Sequence, residues 1–372
     1  MSSYSHRQRV LLALNHQQPD RVPLDMMGNA TMLLDKTYIN LRDHLGLSAI
    51  PPTRSGTTAN YYDERILEYF DIDFRRIFLG KKPTGKSAAR EDGSYVDAWG
   101  VQYRKDGLYL NAVTHPLKDA KTVRDVEDYP WPKADEVFTA DGLAEKASQM
   151  FENTDYALVA RNPLSLGFLD RACQLMGMSE FMITMMTAAE VAGCLLEHLL
   201  CFYEQTYAIF LDAVGPHVQI IETADDLGTQ QALLISPELY RKFIKPCEKR
   251  LYALIREKAP VAFIFRHCDG AIFEIIGDLI EVGVTILNPM QTSANGMDGR
   301  LLKQTFGDNI CFHGGIERME AGVDELVSEV KTRIDTLSAQ GGYIFASCNH
   351  MIDVKPENII AMFETARDYG KY

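Results

Sequence analysis

Short apolar runs recur along the chain, and between them the apolar residues fall three or four positions apart. Runs that lack polar alternation are typical of parallel strands buried on both faces, whereas the wider spacing is typical of amphipathic helices. Strands are predicted at 21–25, 72–79, 156–161, 218–223, 261–267, 284–288, 310–314 and 343–348. From about residue 140 onwards, strand and helix alternate regularly.

The first third of the chain departs from this alternation. Helices are predicted at 5–16, 31–46 and 60–70, where apolar residues follow helical spacing. Between residues 80 and 116, glycines separate short stretches of alternating polarity, which is the pattern of β-hairpins. The segment 128–132, Asp-Tyr-Pro-Trp-Pro, predicts a rigid extended linker. Residues 80–132 are therefore expected to form a hairpin insertion and a linker.

Strands separated by helices predict an α/β fold, and their number favours a (β/α)8 TIM barrel with an N-terminal β-hairpin insertion. A doubly wound sheet is less favoured, because the Gly-x-Gly-x-x-Gly turn that binds phosphates in that fold is missing. Since such barrels often run past roughly 250 residues as one domain, we expect residues 1–372 to form a single domain.

The composition excludes several functional classes. Lys and Arg number 38 against 51 Asp and Glu, so the net charge of -13 disfavours a nucleic-acid partner. The sequence has no run of about eighteen apolar residues and no apolar signal segment, so we predict no membrane association and a cytoplasmic location. The 7 Cys residues lack CxxC spacing, which disfavours a disulfide framework. An acidic barrel with an insertion is compatible with a homodimer.

The candidate chemistry begins where the strand at 261–267 ends, in the sequence His267-Cys268-Asp269-Gly270. Side chains alternate along a strand, so His267 and Asp269 are predicted to lie on one side. Cys268, a candidate core residue, lies on the other. Gly270 allows the backbone to turn towards the next helix. An imidazole and a carboxylate are thereby expected to converge.

Other predicted strands also end in polar residues, and the carboxyl ends of barrel strands carry the active site. The residues there are Glu222, Asp225, Asp226, Asn288, Gln291, His313, Cys348 and His350. Imidazole, thiolate and carboxylate are ligands of zinc, whose catalytic sites have three protein ligands and one open position. We predict that His267 and Cys348 are zinc ligands. Asp269 is the third ligand, with Glu222 as the alternative.

Each of these residues also has a structural interpretation. A single His at a strand end is often hydrogen-bonded without binding a metal, and a single Cys is most often a core residue. Asp225 and Asp226 precede Leu-Gly-Thr-Gln and could cap a following helix. That role competes with acid–base chemistry or with binding of a substrate cation.

Motifs along nearly the whole chain are similar to those of a known superfamily. They lie at 19–23, 119–132, 225–228, 236–240, 267–270, 288–291, 314–317, 341–343 and 348–358. Each motif is weakly specific alone, but their order and spacing resemble the uroporphyrinogen decarboxylase superfamily. Within it, the chain is most similar to the methyltransferase branch, which serves corrinoid-dependent methyl transfer.

The zinc methyltransferases of this branch carry His-x-Cys on the fifth strand and a Cys on the eighth. His267 and Cys348 match this pattern, but Asp269 stands where the family has the middle Cys. A carboxylate in place of a thiolate makes the site harder, which suits an oxygen-bearing substrate better than a thiol such as coenzyme M. The resemblance therefore implies methyl transfer from an O-methyl (methoxylated) donor to a corrinoid protein, with Zn²⁺ as cofactor.

Four further residues have expected roles in that reaction. Asp226, Asn288 and Gln291 are predicted to be catalytic by orienting the donor. Asp225 is predicted to bind the substrate together with Asn288 and Gln291. These roles follow from the resemblance and from the position of each residue after a predicted strand.

Two alternative functions are retained. The first is a carboxy-lyase of the uroporphyrinogen decarboxylase type, which removes carboxyl groups of a porphyrinogen without a metal. The Arg-Gln-Ala-Gly-Arg segment that grips carboxylates in that enzyme has no counterpart near residues 20–40. The second alternative is a non-catalytic barrel that docks a corrinoid protein.

Overall fold

The chain folds around a curled sheet of parallel strands that alternate with helices. A computed structural model describes residues 4–54, 58–82 and 93–372 of it, apart from the side chain of Tyr109. The strands are β1 (Phe74–Ile77), β2 (Gly80–Lys81), β3 (Tyr95–Val96), β4 (Gln102–Asp106), β5 (Tyr109–Ala112), β6 (Phe138–Thr139), β7 (Ala157–Ala160), β8 (Ile220–Ala224), β9 (Phe263–His267), β10 (Ile286–Asn288), β11 (Cys311–His313) and β12 (Tyr343–Ile344).

Helices connect the strands and cover the outside of the sheet. They are α1 (His6–Leu14), α2 (Asp35–His44), α3 (Glu64–Tyr69), α4 (Val123–Glu127), α5 (Ala134–Val137), α6 (Leu143–Asn153), α7 (Phe168–Met176), α8 (Met178–Thr187), α9 (Ala189–Val214), α10 (Pro237–Leu239), α11 (Lys245–Lys258), α12 (Ile276–Val282), α13 (Gly299–Phe306), α14 (Val323–Leu337) and α15 (Pro356–Tyr369). In the described part of the chain, no helix combines the length and apolarity needed to span a membrane.

The main sheet has 7 strands in the order β1-β7-β8-β9-β10-β11-β12, and each neighbouring pair is parallel. The segment around Pro23 bridges the two edges of this sheet. The amide of Phe345, next to β12, donates to the Pro23 carbonyl at 2.9 Å. The amide of Asp73, next to β1, donates to the Leu24 carbonyl at 3.0 Å. The sheet therefore curls round on itself, consistent with a TIM-like barrel.

The strands of the main sheet lie within or overlap those predicted from residue 72 onwards, whereas the segment predicted as a strand at 21–25 forms only isolated bridges, from Arg21 to Lys371 and from Leu24 to Phe345. The strand predicted at 261–267 begins two residues later, at Phe263. Its first predicted residue, Val261, is 74% exposed. An apolar residue before a strand is thus not always part of the buried sheet. Helix α1 begins as expected, because Ser5 and Gln8 form a capping box at its N-terminus.

Alternation along the strands divides the inside of the sheet into two layers. The apolar layer consists of Phe74, Ala157, Val159, Ile220, Phe265, Ile286, Cys311 and Ile344, together with Val10 and Leu14 from α1. Residues two positions apart on a strand share a face. On six strands, the residue two positions after a member of the apolar layer is polar, and these polar residues cover the apolar layer at the carboxyl ends of the strands. This polar layer consists of Arg76, Arg161, Glu222, His267, Asn288 and His313.

Antiparallel strands occur in the range for which the sequence predicts hairpins. Strands β3, β4 and β5 form a 3-stranded antiparallel sheet. Strand β2 pairs with β6, which lies beyond the predicted linker. Residues 83–92 of the predicted insertion lie outside the described residues.

Candidate metal centre

Three metal-ligating side chains converge at the carboxyl end of β9. His267 ends the strand, Asp269 follows it, and Asp226 comes from the loop after β8. Their ligand atoms all lie within 4.8 Å of one another, and among the described residues this is the one such group of His, Cys, Asp or Glu. His267 Nε2 lies 3.7 Å from Asp226 Oδ1 and 3.9 Å from Asp269 Oδ2. The side chains of His267 and Asp269 converge in the structure, as predicted.

The turn after β9 depends on Gly270. Its φ is 92°, a left-handed conformation, and a Cβ there would lie 2.5 Å from the carbonyl carbon of Gly228. The turn allows the amide of Asp269 to donate to Asp226 Oδ1 at 3.0 Å. Gln291 Oε1 accepts from the Gly270 amide at 2.8 Å. Gln291, predicted to orient the donor, thus holds the turn that presents Asp269.

The carboxylate of Asp269 has unused capacity to bind a cation. Its Oδ1 is buried and has no hydrogen-bond partner within the described ranges. Burial raises the pKa of Asp269. His267 lowers this pKa and Asp226 raises it, and the net shift is upward. A buried carboxylate oxygen without a donor is unfavourable, so a positive charge between these side chains would stabilise the site.

A chain of hydrogen bonds sets the tautomer of His267. Its Nδ1 lies 2.7 Å from Asn288 Oδ1, Asn288 Nδ2 lies 2.8 Å from His313 Nδ1, and His313 Nε2 lies 2.8 Å from Asp25 Oδ2. A carboxylate only accepts, so neutral His313 donates from Nε2 and accepts at Nδ1. Asn288 then donates through Nδ2 and accepts from His267 Nδ1 through Oδ1. The lone pair of His267 is therefore on Nε2, which faces the two carboxylates.

Asp25 anchors this chain. Arg76 donates to its two oxygens at 2.8 and 2.6 Å. Burial alone would raise the pKa of Asp25, but Arg76 and His313 outweigh it and hold the pKa well below its usual range. Because its pKa is lowered, Asp25 is ionised at neutral pH and only accepts hydrogen bonds, which fixes the direction of those from His313 to His267.

Glu222, the alternative ligand, belongs to a different cluster. Its Oε1 accepts from Arg76 Nε at 3.1 Å, and its Oε2 lies 3.2 Å from Arg161 Nη1. Glu222 is fully buried and is not part of the group around His267. Its charge is balanced by the two arginines, and the carboxylate that lies beside His267 together with that of Asp269 is Asp226.

Cys348 lies near the metal-ligating group without joining it. The residue follows β12 on the inward face, and it is buried. Burial, together with the carboxylates of Glu317 and Asp269, raises the pKa of its thiol well above the ordinary value. Its Sγ is not among the atoms that lie within 4.8 Å of one another. The structure thus brings His267 together with two carboxylates, and the assignment of Cys348 as a zinc ligand stays a prediction.

Asp225 and Asn288 make structural contacts. Asp225 accepts from the amides of Leu169 and Asp170 at 2.9 and 3.1 Å, and so caps the N-terminus of α7. It was expected either to bind substrate or to cap a following helix; its oxygens are committed to a preceding helix, and residues 227–235 are not helical. Asn288 is fully buried between two imidazoles, where it orients His267.

The sequence analysis missed the arginines of the polar layer. Arg76 follows the inward-facing Phe74 by two positions, and Arg161 follows Val159 in the same way. The alternation of side chains along a strand therefore predicts that both arginines face inward. Both arginines belong to the strands predicted at 72–79 and 156–161, and the candidate residues were taken from the ends of later strands.

The residues that converge here fit a zinc ion. The set offers an imidazole nitrogen whose lone pair has a defined direction and two carboxylates, one with a buried oxygen that lacks a partner. Zinc accepts nitrogen and oxygen ligands, and its catalytic sites leave one position open. Asn288 supplies the outer hydrogen bond that zinc-binding histidines usually have.

Comparisons with known proteins agree with this architecture. The sequence profile of the family described as Uroporphyrinogen decarboxylase (URO-D) matches residues 164–369. A solved structure of a methyltransferase from Methanosarcina mazei is similar over 99% of each chain, with a TM-score of 0.65 and 15% sequence identity. At that identity the likeness shows the fold. No curated protein sequence matches the chain.

Proposed function

The chain belongs to the uroporphyrinogen decarboxylase (URO-D) family, and on this premise we propose that it is a zinc-dependent methyltransferase. The proposed reaction moves a methyl group from an O-methyl donor to the cobalt of a corrinoid on a partner protein. The observation that carries the proposal is the convergence of Asp226, His267 and Asp269 at the carboxyl ends of the strands. A methyltransferase of the same fold supports the reaction class.

When bound by these residues, zinc supplies Lewis-acid stabilisation of negative charge on the leaving oxygen. In the transfer the carbon–oxygen bond breaks with its electron pair on oxygen, while the methyl carbon bonds to Co(I). The residues around the donor must therefore accommodate an oxyanion. His267 contributes a neutral nitrogen, so with two carboxylates the ligand set approximately balances a divalent ion.

The surrounding residues keep this set in position. Asn288 orients His267, and the amide of Asp269 holds Asp226 Oδ1. Gln291 supports the turn at Gly270. Asp226 thus acts as a metal ligand in the proposal, and the earlier prediction that it orients the donor is revised accordingly.

Cys348 is proposed as a further donor. Its thiol follows β12, three strands from β9 in the curled sheet, and the Asp269 carboxylate is near enough to raise the pKa of the thiol further after burial and Glu317. A metal ion lowers the pKa of a coordinating thiol and removes its proton. Substitution of Cys348 is therefore expected to weaken metal binding less than substitution of His267.

The ligand types favour an ether oxygen as substrate. Two carboxylates and one imidazole form a harder set than two thiolates and one imidazole. A hard site binds an oxygen donor and activates a thiol poorly. This supports O-demethylation over methylation of a thiol.

A carboxy-lyase is the second candidate, because cationic groups adjoin the site. Arg161 lies 3.2 Å from Glu222, and burial and Arg161 lower the pKa of the nearby Arg54. Such groups would suit a carboxylated substrate. The two functions differ in their need for metal, since decarboxylation in this family needs none.

Cobalt methylation tests the proposal directly. Reduced cobalamin and a panel of methoxylated aromatics would be incubated with the wild type, His267→Ala and His44→Ala, and methyl–cobalt formation followed by optical spectroscopy. His44 is a matched control at the surface, where its one ion pair is with Glu357 at 3.9 Å. We expect the rate to fall by about a hundredfold or more in His267→Ala and to be unchanged in His44→Ala. Release of carbon dioxide without cobalt methylation would favour the lyase.

A further inference from the structure

The polar layer contains a second cluster whose hydrogen-bond donors lack acceptors. We call it the Glu222 cluster; it comprises Glu222, Asn29, Arg161 and Asn162. The backbone amides of Asn29 and Asn162 lie 3.4 Å from Glu222 Oε1 and Oε2, respectively. Nδ2 of both asparagines and Nε of Arg161 are buried and make no hydrogen bond within the described residues. Nη1 of Arg161 forms an ion pair with Glu222 Oε2 at 3.2 Å.

The unused donor of Asn162 has a defined orientation. Asn162 Oδ1 accepts from the amide of Leu164 at 3.0 Å, whereas the Tyr207 hydroxyl donates its one proton to the Glu222 carbonyl at 2.7 Å. The contact with Leu164 assigns the oxygen, so Nδ2 must be the other branch of the amide. Asn29 and Asn162 are only 8% and 7% exposed. Buried donors in native proteins nearly always have an acceptor, so an acceptor from outside the chain is expected.

The charges around this cluster leave a positive surplus. Arg76 and Arg161 balance Asp25 and Glu222. Arg54 adds a further cation, which contacts the sulfur of Met32 at 3.7 Å and the ring of Phe78 at 4.9 Å. Among the described residues it has no carboxylate partner. An acceptor that enters here would therefore meet a net positive potential.

The Glu222 cluster and the metal centre open on the same end of the sheet. Arg161 follows β7, Glu222 lies in β8 and His267 ends β9, and these strands are adjacent. Arg161 is level with Glu222, and His267 lies two strand spacings across the sheet and two residues further along, so their Cα atoms are roughly 12 Å apart. The separation suits a molecule with one benzene ring between two functional groups.

We propose that the Glu222 cluster and Arg54 bind the carboxylate of an aromatic substrate whose methoxy oxygen faces Asp226, His267 and Asp269. The methyl donor is then a methoxylated aromatic acid. This identification of the donor rests on the proposed methyltransferase function, whereas the anion site itself does not. A planar carboxylate matches the donors of a guanidinium and can accept from an asparagine amide at the same time.

Binding of charged and uncharged probes tests the anion site. Isothermal titration calorimetry would compare 3- and 4-methoxybenzoate with the corresponding methoxybenzyl alcohols, using the full-length protein without corrinoid. We expect the wild type to bind the better acid at least about tenfold more tightly than its alcohol. Arg54→Gln and Asn162→Asp should each weaken binding of the acid by about tenfold or more, without changing binding of the alcohol.

Asn162→Asp keeps the acceptor for Leu164 and replaces only the unused donor, so it preserves the local structure. Arg250→Gln is the matched control, because Arg250 pairs with Glu197 and Glu204 at the surface. Equal affinities for acid and alcohol, or unchanged affinity in both Arg54→Gln and Asn162→Asp, would overturn the proposal. If the acid binds as expected but cobalt is never methylated, the anion site stands and the methyltransferase function falls.

Discussion

The imidazole of His267 can bind a metal only through an unprotonated nitrogen, and its neighbours determine which nitrogen that is. Asn288 accepts the Nδ1 proton because its own amide donates to His313. His313 can accept because its other nitrogen donates to the ionised Asp25. The ability of His267 to bind a metal is therefore set by three residues that lie outside the group of Asp226, His267 and Asp269.

Substitution of Asn288 tests this dependence. Asn288→Ala removes the acceptor of the His267 Nδ1 proton, so the ring is free to rotate and to change tautomer. We expect zinc affinity to fall by about 10–100-fold, measured by competition with a chromophoric chelator. Asn309→Ala, at an exposed position before β11, is the control. Equal zinc affinities in the two variants would refute the role of Asn288.

Part of this site was predictable from the residues alone. Alternation placed His267 and Asp269 on one side of the strand and Cys268 in the core, where it is buried. The same argument did not place Asp226, because a loop residue has no regular periodicity. The arginine partners of Glu222 were not predicted, because they come from strands that are distant in the sequence.

At the scale of elements, the strand-to-helix turn at β9 positions the metal centre. The sequence predicted the strand and the Gly270 turn, because apolar runs and glycine have local signals. It did not predict that the turn packs against Gly228, since that contact depends on how β8 and β9 are registered. Local signals thus identify elements, and the packing between them determines which residues meet.

Two glycine substitutions distinguish the steric requirement for glycine at the turn from the general effect of replacing glycine with alanine in a helix. Gly270→Ala would place a Cβ 2.5 Å from Gly228 in a left-handed conformation, so we expect the free energy of unfolding to fall by about 1–3 kcal/mol or more. Gly277→Ala lies in α12 with no heavy atom within 4 Å of its Cβ, and it should be neutral or stabilise by up to about 1 kcal/mol. Urea unfolding measures both. A neutral Gly270→Ala would contradict the structural role of the turn.

At the scale of the whole molecule, buried ion pairs tie distant strands together at the mouth of the curled sheet. Asp25 joins the segment before α2 to β1 through Arg76 and to β11 through His313. Arg76 continues to Glu222 in β8. The alternation of strands and helices predicted the architecture, but this network was not predicted, because charge pairs across a sheet have no signature in one sequence.

The network predicts how stability depends on pH. The folded-state pKa of Asp25 is lowered, so its contribution is fully present above the unfolded pKa of about 3.9 and is lost as pH falls below it. Asp25→Asn should lower the free energy of unfolding by about 3 kcal/mol or more at pH 7. The difference from the wild type should shrink below about pH 4. Urea unfolding between pH 3 and 7 measures it, and a difference that is independent of pH would contradict the prediction.

We propose that Asp226, His267 and Asp269 hold a metal ion. The most direct test of this proposal is the zinc content of purified wild type, His267→Ala, Asp269→Asn and the surface control His44→Ala, measured by mass spectrometry after dialysis against trace zinc. We predict about one zinc per chain in the wild type and in His44→Ala, and its loss in the other two variants. A wild type that retains no zinc and is nevertheless active would contradict the account.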